Sequence, residues 1–386
     1  MSQKEIPAVY MRGGTSRALV FHQSDLPADR ADWDAVFLAA MGSPDPSGRQ
    51  LDGMGGGVSS LSKVCVVGPP THADADVDYT FAQVGVRSAA VDYTGNCGNM
   101  ASAIGPYAID EGLVSAPPGD MAAVRIHNTN TGKIIVASFP LAEGRAAVDG
   151  DLEIDGVPGR GAPIRLAFQD PGGAVTGRLL PTGRVRDALR VPELGDIEAT
   201  LIDAANPCVF VAAATLGLTG IESPAQLGAE PALLQRLEAI RCAASVAMGI
   251  APDLDSAGAI EPVPKVAMVA PPTPYRTLSG QCVGVAEIDL VCRMISSGQP
   301  HGAIPVTGAL ALGVACRVGG SVAQQQLRRA LGGRVTIGHA SGTLQVDAEL
   351  APGADGQMPH ARSASLHRTA RRLFQGRVLY REVWPN

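Results

Sequence analysis

Short apolar blocks bounded by turn residues recur along the first half of the chain, at 8–10, 18–21, 63–67, 77–86, 123–126 and 133–139. Such blocks predict strands. Apolar positions at helical spacing predict helices over 33–41, 100–111 and 231–248, and 308–316 reads as a buried, alanine-rich helix. Further strands are expected at 265–269, 284–293, 335–337 and 343–346. Both halves thus wrap many strands about few helices, a plan that suggests an internal duplication although no residue-level repeat is visible. The Gly-, Pro- and Arg-rich stretch 158–183 has the composition of a surface connection. The lobe boundary is expected near its end, giving lobes 1–183 and 184–386, with the last strand free to return to the first.

At 386 residues the chain is long enough for two lobes, and 46% hydrophobic against 18% charged residues excludes disorder as its main theme. A net charge of -6 with 4% aromatics gives neither a basic face nor stacking platforms for nucleic acid, so a small ligand is expected. Seven cysteines contain no C-x-x-C pair, which suits free thiols in a reducing cytosol and offers no zinc ribbon. There is no leader-like start and no apolar run of membrane-spanning length, so the expectation is a cytoplasmic protein with no membrane and no nucleic-acid partner. A homo-oligomer is left open.

Candidate chemistry gathers at three places. Leu51-Asp52-Gly53-Met54-Gly55-Gly56-Gly57-Val58-Ser59-Ser60-Leu61-Ser62-Lys63 reads either as a tight turn or as a loop whose N–H groups cradle an anion. It fits neither a dinucleotide fingerprint nor a phosphate loop. Lys63 is one of four lysines among 31 basic residues. Arginine cannot give up its proton, so a base requires lysine; a snorkelling strand-edge residue is the plainer alternative. Thr94-Gly95-Asn96-Cys97-Gly98-Asn99 opens a predicted helix, placing a thiol and two amides beside free N–H groups and the positive end of a helix dipole. Met11-Arg12-Gly13-Gly14-Thr15-Ser16 offers a cation and small residues for a carboxylate, or a hairpin turn. His127 has no second histidine at ligand spacing, and no metal site or cofactor is expected. Asn206, His301 and Ser341 are weaker candidates on loops.

With these motifs the chain resembles the PrpF family, and matches at Gly42-Ser43-Pro44-Asp45-Pro46, Asp76-Val77-Asp78-Tyr79 and Arg368-Thr369-Ala370-Arg371-Arg372 spread the resemblance over nearly its whole length. The resemblance implies an α+β, diaminopimelate-epimerase-like fold. Its two pseudo-symmetric lobes each curve a mostly antiparallel sheet around a central helix, with the site between the helix N-termini. It implies cofactor-independent double-bond migration or cis–trans isomerisation of an unsaturated tricarboxylate such as 4-oxalomesaconate, aconitate or 2-methylaconitate; methylitaconate is another known substrate of the family. By motif, Lys63 and Cys97 are the catalytic pair. The expected binding set is Arg12, Gly13, Gly14, Thr15, Ser16, Gly55, Gly56, Ser59, Ser60, Asn96, Gly98, Asn99, Asn206, His301 and Ser341. N–H groups at 53–57, 13–16 and 98–99 would hold a dienolate, with Arg12 neutralising a carboxylate. Epimerases of this fold use a thiol at each helix start, but Pro300-His301-Gly302-Ala303-Ile304-Pro305 holds none. The lysine is therefore expected to supply the other proton-transfer group. Two alternatives stay open: a non-catalytic tricarboxylate-binding accessory of an aconitase-type enzyme, and thiol-dependent hydrolysis, which would want a histidine near Cys97.

Overall fold

The computed structural model describes residues 3–260, 263–328, 333–353 and 359–381. They divide into two compact units, residues 1–166 with 367–386, and residues 167–366.

In the first unit β1 (Lys4–Gly13) folds back on β2 (Ser16–His22), Gly13 facing Ser16 across a turn in which Gly14 takes the left-handed φ of 49°. β2 runs parallel to β3 (Lys63–Gly68), and β3 antiparallel to β4 (Val77–Val84). β4 is parallel to β5 (Met121–Asn128), which is antiparallel to β6 (Lys133–Ala142). The C-terminal strand Ala370–Tyr380 lies antiparallel along all of β1, Lys4 opposite Tyr380 and Gly13 opposite Ala370.

Side chains alternate between faces of a strand, and here the two faces meet different helices. Leu19, Phe21, Val64, Val66, Ala82 and Val84 pack with Trp33, Phe37 and Met41 of α1 (Trp33–Met41). Phe21 stacks on Phe37 at a centroid distance of 5.9 Å. The opposite parity, which includes Lys63, Cys65, Tyr79, Phe81 and Gln83, faces α2 (Gly98–Asp110). That helix is buried from Gly98 to Ile109 and touches each of β1 to β6 and the C-terminal strand, so the sheet curves around it.

The second unit repeats the plan. After β7 (Asp187–Val191), β8 (Gly195–Ala204) turns into β9 (Asn206–Ala212). β9 is parallel to β10 (Lys265–Ala270), which is antiparallel to β11 (Leu290–Ser296). β11 is parallel to β12 (Val335–His339), and β12 antiparallel to β13 (Gly342–Ala351). An outer helix, α3 (Pro231–Ala247), packs on one face of this sheet through Leu233, Leu237 and Ile240. A fully buried helix, α4 (Val306–Ala315), packs against β8, β9 and β13. The succession β8 to β13 with α4 has the same strand senses as β1 to β6 with α2, and Lys63 and Lys265 each open the third strand of their series.

Two expectations need correction. The division falls at 166/167, upstream of residue 183. The intervening segment is tied into the second unit because Val175 and Thr176 donate their N–H groups to Asp203 Oδ2 at 2.8 and 2.7 Å. The block at 284–293 is not one strand. Glu287 accepts the N–H of Gly284 at 2.6 Å in a short turn, Val285–Glu287, and pairing begins only at Leu290. The strands at Asp187–Val191 and Gly195–Ala204 had no sequence counterpart. Among the described residues no helix is long and apolar enough to cross a membrane.

The tightest backbone contact of the first unit yields a stability test. A Cβ on Gly53 would lie 2.1 Å from Gly42 N and 2.3 Å from Met41 C, atoms that cannot yield as a flexible side chain can, whereas Gly95 has nothing within 4 Å. Gly53→Ala is expected to lower unfolding stability by about 1–3 kcal/mol, and Gly95→Ala to leave it within about 0.5 kcal/mol, as read from denaturant midpoints. Equal midpoints would refute the packing account.

Candidate active site

Lys63 is 8% exposed and lies on the α2 face of β3. Its Nζ donates to Gln83 Oε1 at 2.5 Å and stands 5.0 Å from the centroid of the Phe81 ring. Gln83 sits directly opposite Lys63 in the β3–β4 register. Its amide nitrogen donates to Ser59 O at 3.1 Å and Ser62 O at 2.8 Å, which turns the amide oxygen toward the lysine. Among the described residues no carboxylate reaches Lys63, so a neutral amide and an aromatic face hold the amine where most buried lysines are held in ion pairs.

Cys97 is the N-cap of α2 and its side chain makes no capping hydrogen bond, so the half-buried thiol is not committed to the helix. The N–H groups of Gly98, Asn99 and Met100 have no acceptor within the helix, as at any helix start. Tyr79, fully buried, donates to Cys97 O at 3.4 Å and lies 3.9 Å from Cys65 Sγ. Burial pushes the Cys65 thiol far up, and both Cys97 and Lys63 lie close enough to act on it electrostatically. Cys65 is therefore a protonated thiol near both candidate groups. Just ahead of Cys97, Asn96 is 7% exposed and its Oδ1 has no hydrogen-bond partner, an orphan that a polar ligand atom would satisfy.

The hairpin tip packs on the first turn of α2. A Cβ on Gly13 would meet Asn99 O at 2.5 Å, and one on Gly14 would meet Asn99 Oδ1 at 2.2 Å. Asn99 Nδ2 donates to Thr15 Oγ1 at 3.0 Å. Ser16 is buried at the start of β2. Arg12 Nη1 donates to Gly14 O at 3.1 Å and to Thr369 O at 2.9 Å, so part of the guanidinium ties the tip to the C-terminal strand. Burial, reinforced by Arg371, lowers its pKa.

The glycine loop departs from the anion-cradle expectation. Gly53 N donates to Gln50 O, Met54 N to Ala40 O, Gly55 N to Met41 O, and Gly57 N to Gln50 Oε1, all at 2.9–3.3 Å. These four donors are used inside the unit. The glycines are required for close packing instead, since a Cβ on Gly55 would strike the Gln50 amide at 2.2 Å and one on Gly57 would strike Gly48 O at 2.4 Å. Gln50 also donates to Ser43 Oγ and Ser62 Oγ, bracing the residue before Lys63. Gly56, Ser59 and Ser60 are part-exposed along the same loop.

The remaining candidates belong to the second unit. Asn206 is 1% exposed with an unpartnered Oδ1 at the start of β9. Ser341 N donates to Gly302 O at 3.0 Å, next to His301. Pro305 caps α4 where Cys97 caps α2, so the second helix start carries no thiol. His127 lies on β5 with its Nδ1 hydrogen-bonded to Asp78 Oδ1 at 2.9 Å. Among the described residues no three His, Cys, Asp or Glu side chains gather as a metal site would need. Gln83, Tyr79, Gln50 and Arg368 lie at the site but outside the expected set, Tyr79 and Arg368 having entered only within motifs of the family resemblance. For the first two the signal is strand register, which only the fold reveals; for Arg368 it is the Arg-Thr-Ala-Arg-Arg string itself.

A curved sheet around a buried helix, duplicated, is the fold of proline racemases and diaminopimelate-epimerase-like proteins. A probable proline racemase from Agrobacterium radiobacter K84 shares it at TM-score 0.56 and 12% identity, covering 96% of this chain and 92% of that one. The chain belongs to the PrpF family, whose model, described as PrpF protein, matches residues 3–381. It is 42% identical to 3-methylitaconate isomerase of Eubacterium barkeri over 97% of both chains. It is 39% identical to 2-methyl-aconitate isomerase of Cupriavidus necator, again over 97% of both. Identity to 4-oxalomesaconate tautomerase of Pseudomonas putida is 41%, over 100% of this chain and 99% of that one. The crystal structure of a methylitaconate-delta-isomerase superposes at TM-score 0.82 with 42% identity, covering 98% of this chain and 96% of that one. The protein is an isomerase.

The thiols give a direct check on this geometry. Alkylation proceeds through the thiolate, and burial raises the pKa of Cys65, Cys208, Cys292 and Cys316, which keeps them protonated at pH 8. Iodoacetamide followed by peptide mass spectrometry is expected to modify exposed Cys282 and half-buried Cys97 well before these four. Modification of Cys65 as fast as Cys97 would contradict the arrangement.

Proposed function

We propose that the protein moves a carbon–carbon double bond by a 1,3-proton shift in an unsaturated di- or tricarboxylate of the methylitaconate, 2-methylaconitate, aconitate or 4-oxalomesaconate type, with Lys63 and Cys97 as the proton-transfer pair. The observation that carries this reading is Lys63, buried on the α2 side of the sheet and paired with an uncharged amide in place of a carboxylate. An ion-paired lysine would serve structure; this one is held in position by an amide, with no ion pair among the described residues.

The reaction follows from the chemistry of the groups. The Lys63 amine removes a proton from the saturated carbon beside the double bond, and the C–H electron pair becomes the new C=C bond. The electrons of the old double bond move out as the dienolate charge on the conjugated carboxylate or keto oxygen. The Cys97 S–H then protonates the far carbon of the allyl system, and the proton on Lys63 returns to the thiolate to reset the pair. Charge that develops on the substrate oxygens needs fixed donors in a site shielded from water. In the first unit the free N–H groups at the start of α2 supply them.

The test is incubation with each of the four candidate acids in deuterated water, followed by NMR. Deuterium incorporation at the allylic carbon with formation of the shifted isomer is expected for at least one of them, and absence of exchange with all four in folded protein refutes the reading. Lys63→Met, which keeps the stem and removes the base, is expected to lower kcat by about 10²- to 10⁴-fold. Retention of more than about a tenth of kcat, far short of the loss expected for a general base, would remove Lys63 from that role.

A further inference from the structure

Arg368 is 6% exposed, and its guanidinium is one of the most deeply enclosed charges of the first unit. Nε donates to Asn99 Oδ1 at 3.2 Å and Nη1 to the neighbouring carbonyl His367 O at 3.0 Å. The stem lies against Gly14, Cδ standing 3.1 Å from where a Cβ on that residue would be, so the hairpin tip is bare in order to admit it. Among the described residues no carboxylate pairs with it. A guanidinium has five N–H donors, and these two bonds leave most of them without a protein acceptor. Burial pulls its pKa down to about 10, which leaves it protonated at neutral pH. Enclosing an uncompensated cation costs stability, and the usual resolution is a bound anion. The place is telling: Asn99 is the second residue of α2, two beyond Cys97, and the orphaned Oδ1 of Asn96 belongs to the same helix start.

We infer that Arg368 is the counter-ion of one substrate carboxylate, anchoring the acid at the start of α2 and selecting for polycarboxylates. This inference rests on the proposed function. A bidentate guanidinium–carboxylate pair would use the free donors, and the bond to Asn99 would hold the plane of the fork. The Thr15–Asn99–Arg368 chain of hydrogen bonds then couples the hairpin tip to the anchor.

The experiment measures binding of propane-1,2,3-tricarboxylate, a saturated analogue, by calorimetry, together with thermal melts in its presence and absence. Wild type, Arg368→Gln and Arg368→Lys are compared. Arg368→Gln is expected to bind about 10- to 100-fold more weakly while its ligand-free Tm stays level or rises, because an unpaired buried charge has been removed. The upward shift of Tm by ligand shrinks accordingly. A purely structural arginine gives the opposite result, a lower ligand-free Tm with the affinity within about threefold, and overturns the inference. Should the glutamine variant lose both, Arg368→Lys decides: affinity recovered to within about tenfold of wild type supports the anchor, and no recovery refutes it. If wild type neither binds the analogue nor turns over any of the four acids, the functional reading itself fails, whereas wild-type binding with unaffected variants removes Arg368 alone.

Discussion

The approach of a bare hairpin tip to the first turn of α2 is the contact on which the candidate site depends. Gly13 and Gly14 come so near Asn99 that any side chain at either position would overlap it. The helix start is thereby fixed against β1 and β2 and, through Arg12 and Gly14, against the C-terminal strand. Since Cys97 is the cap of that helix, the position of its thiol is set by a contact in which it takes no part. Tyr79 adds a second constraint from β4 by donating to the carbonyl of the same residue.

Strand alternation fixes the other half of the pair. Val64 and Val66 bury themselves against α1, which obliges Lys63 and Cys65 to face α2. The adjoining residues on β4 follow by register: Gln83 meets Lys63, and Phe81 meets Cys65. The site is thus a by-product of ordinary core packing on the far side of the sheet. What distinguishes it is the choice of partners: an amide and an aromatic ring beside the lysine, a protonated thiol and a phenol behind Cys97, and no acid near Arg368 among the described residues. Fixed surroundings that enclose Lys63 and Arg368 without pairing them to an acid among the described residues suit the polyanionic substrate proposed above, on which additional negative charge develops.

Local patterns in the sequence carried the strands and helices of the first unit, because burial on one face of a strand or helix imprints a period. They also brought out Lys63 and the helix-start thiol, since a scarce residue type and a dense Asn-Cys-Gly-Asn string are visible without any fold. Longer-range features were not legible. Gln83 lies twenty positions from Lys63 and Arg368 lies 269 from Asn99, so only pairing of strands brings them together. The glycine loop was ambiguous for a different reason. Glycines that approach a ligand and glycines that approach their own backbone look alike in sequence, and the bonds from Gly53, Met54, Gly55 and Gly57 into the unit decide for the second. The duplication was visible as a plan but not in residues, because a common strand order constrains only burial, and Pro305 fills in the second unit the place that Cys97 fills in the first.

The central claim is that removal and return of the proton are divided between two groups, and solvent exchange in Cys97→Ser tests it most directly. An alcohol is a far weaker acid than a thiol, so a dienolate formed by Lys63 would wait for a proton that the serine does not deliver and return to substrate. With the acid that the wild type turns over, in deuterated water, the account predicts deuterium entering the abstracted position while product formation falls by about 10²-fold or more. Loss of exchange in step with product formation, or undiminished turnover, would contradict it and leave a single group shuttling the proton.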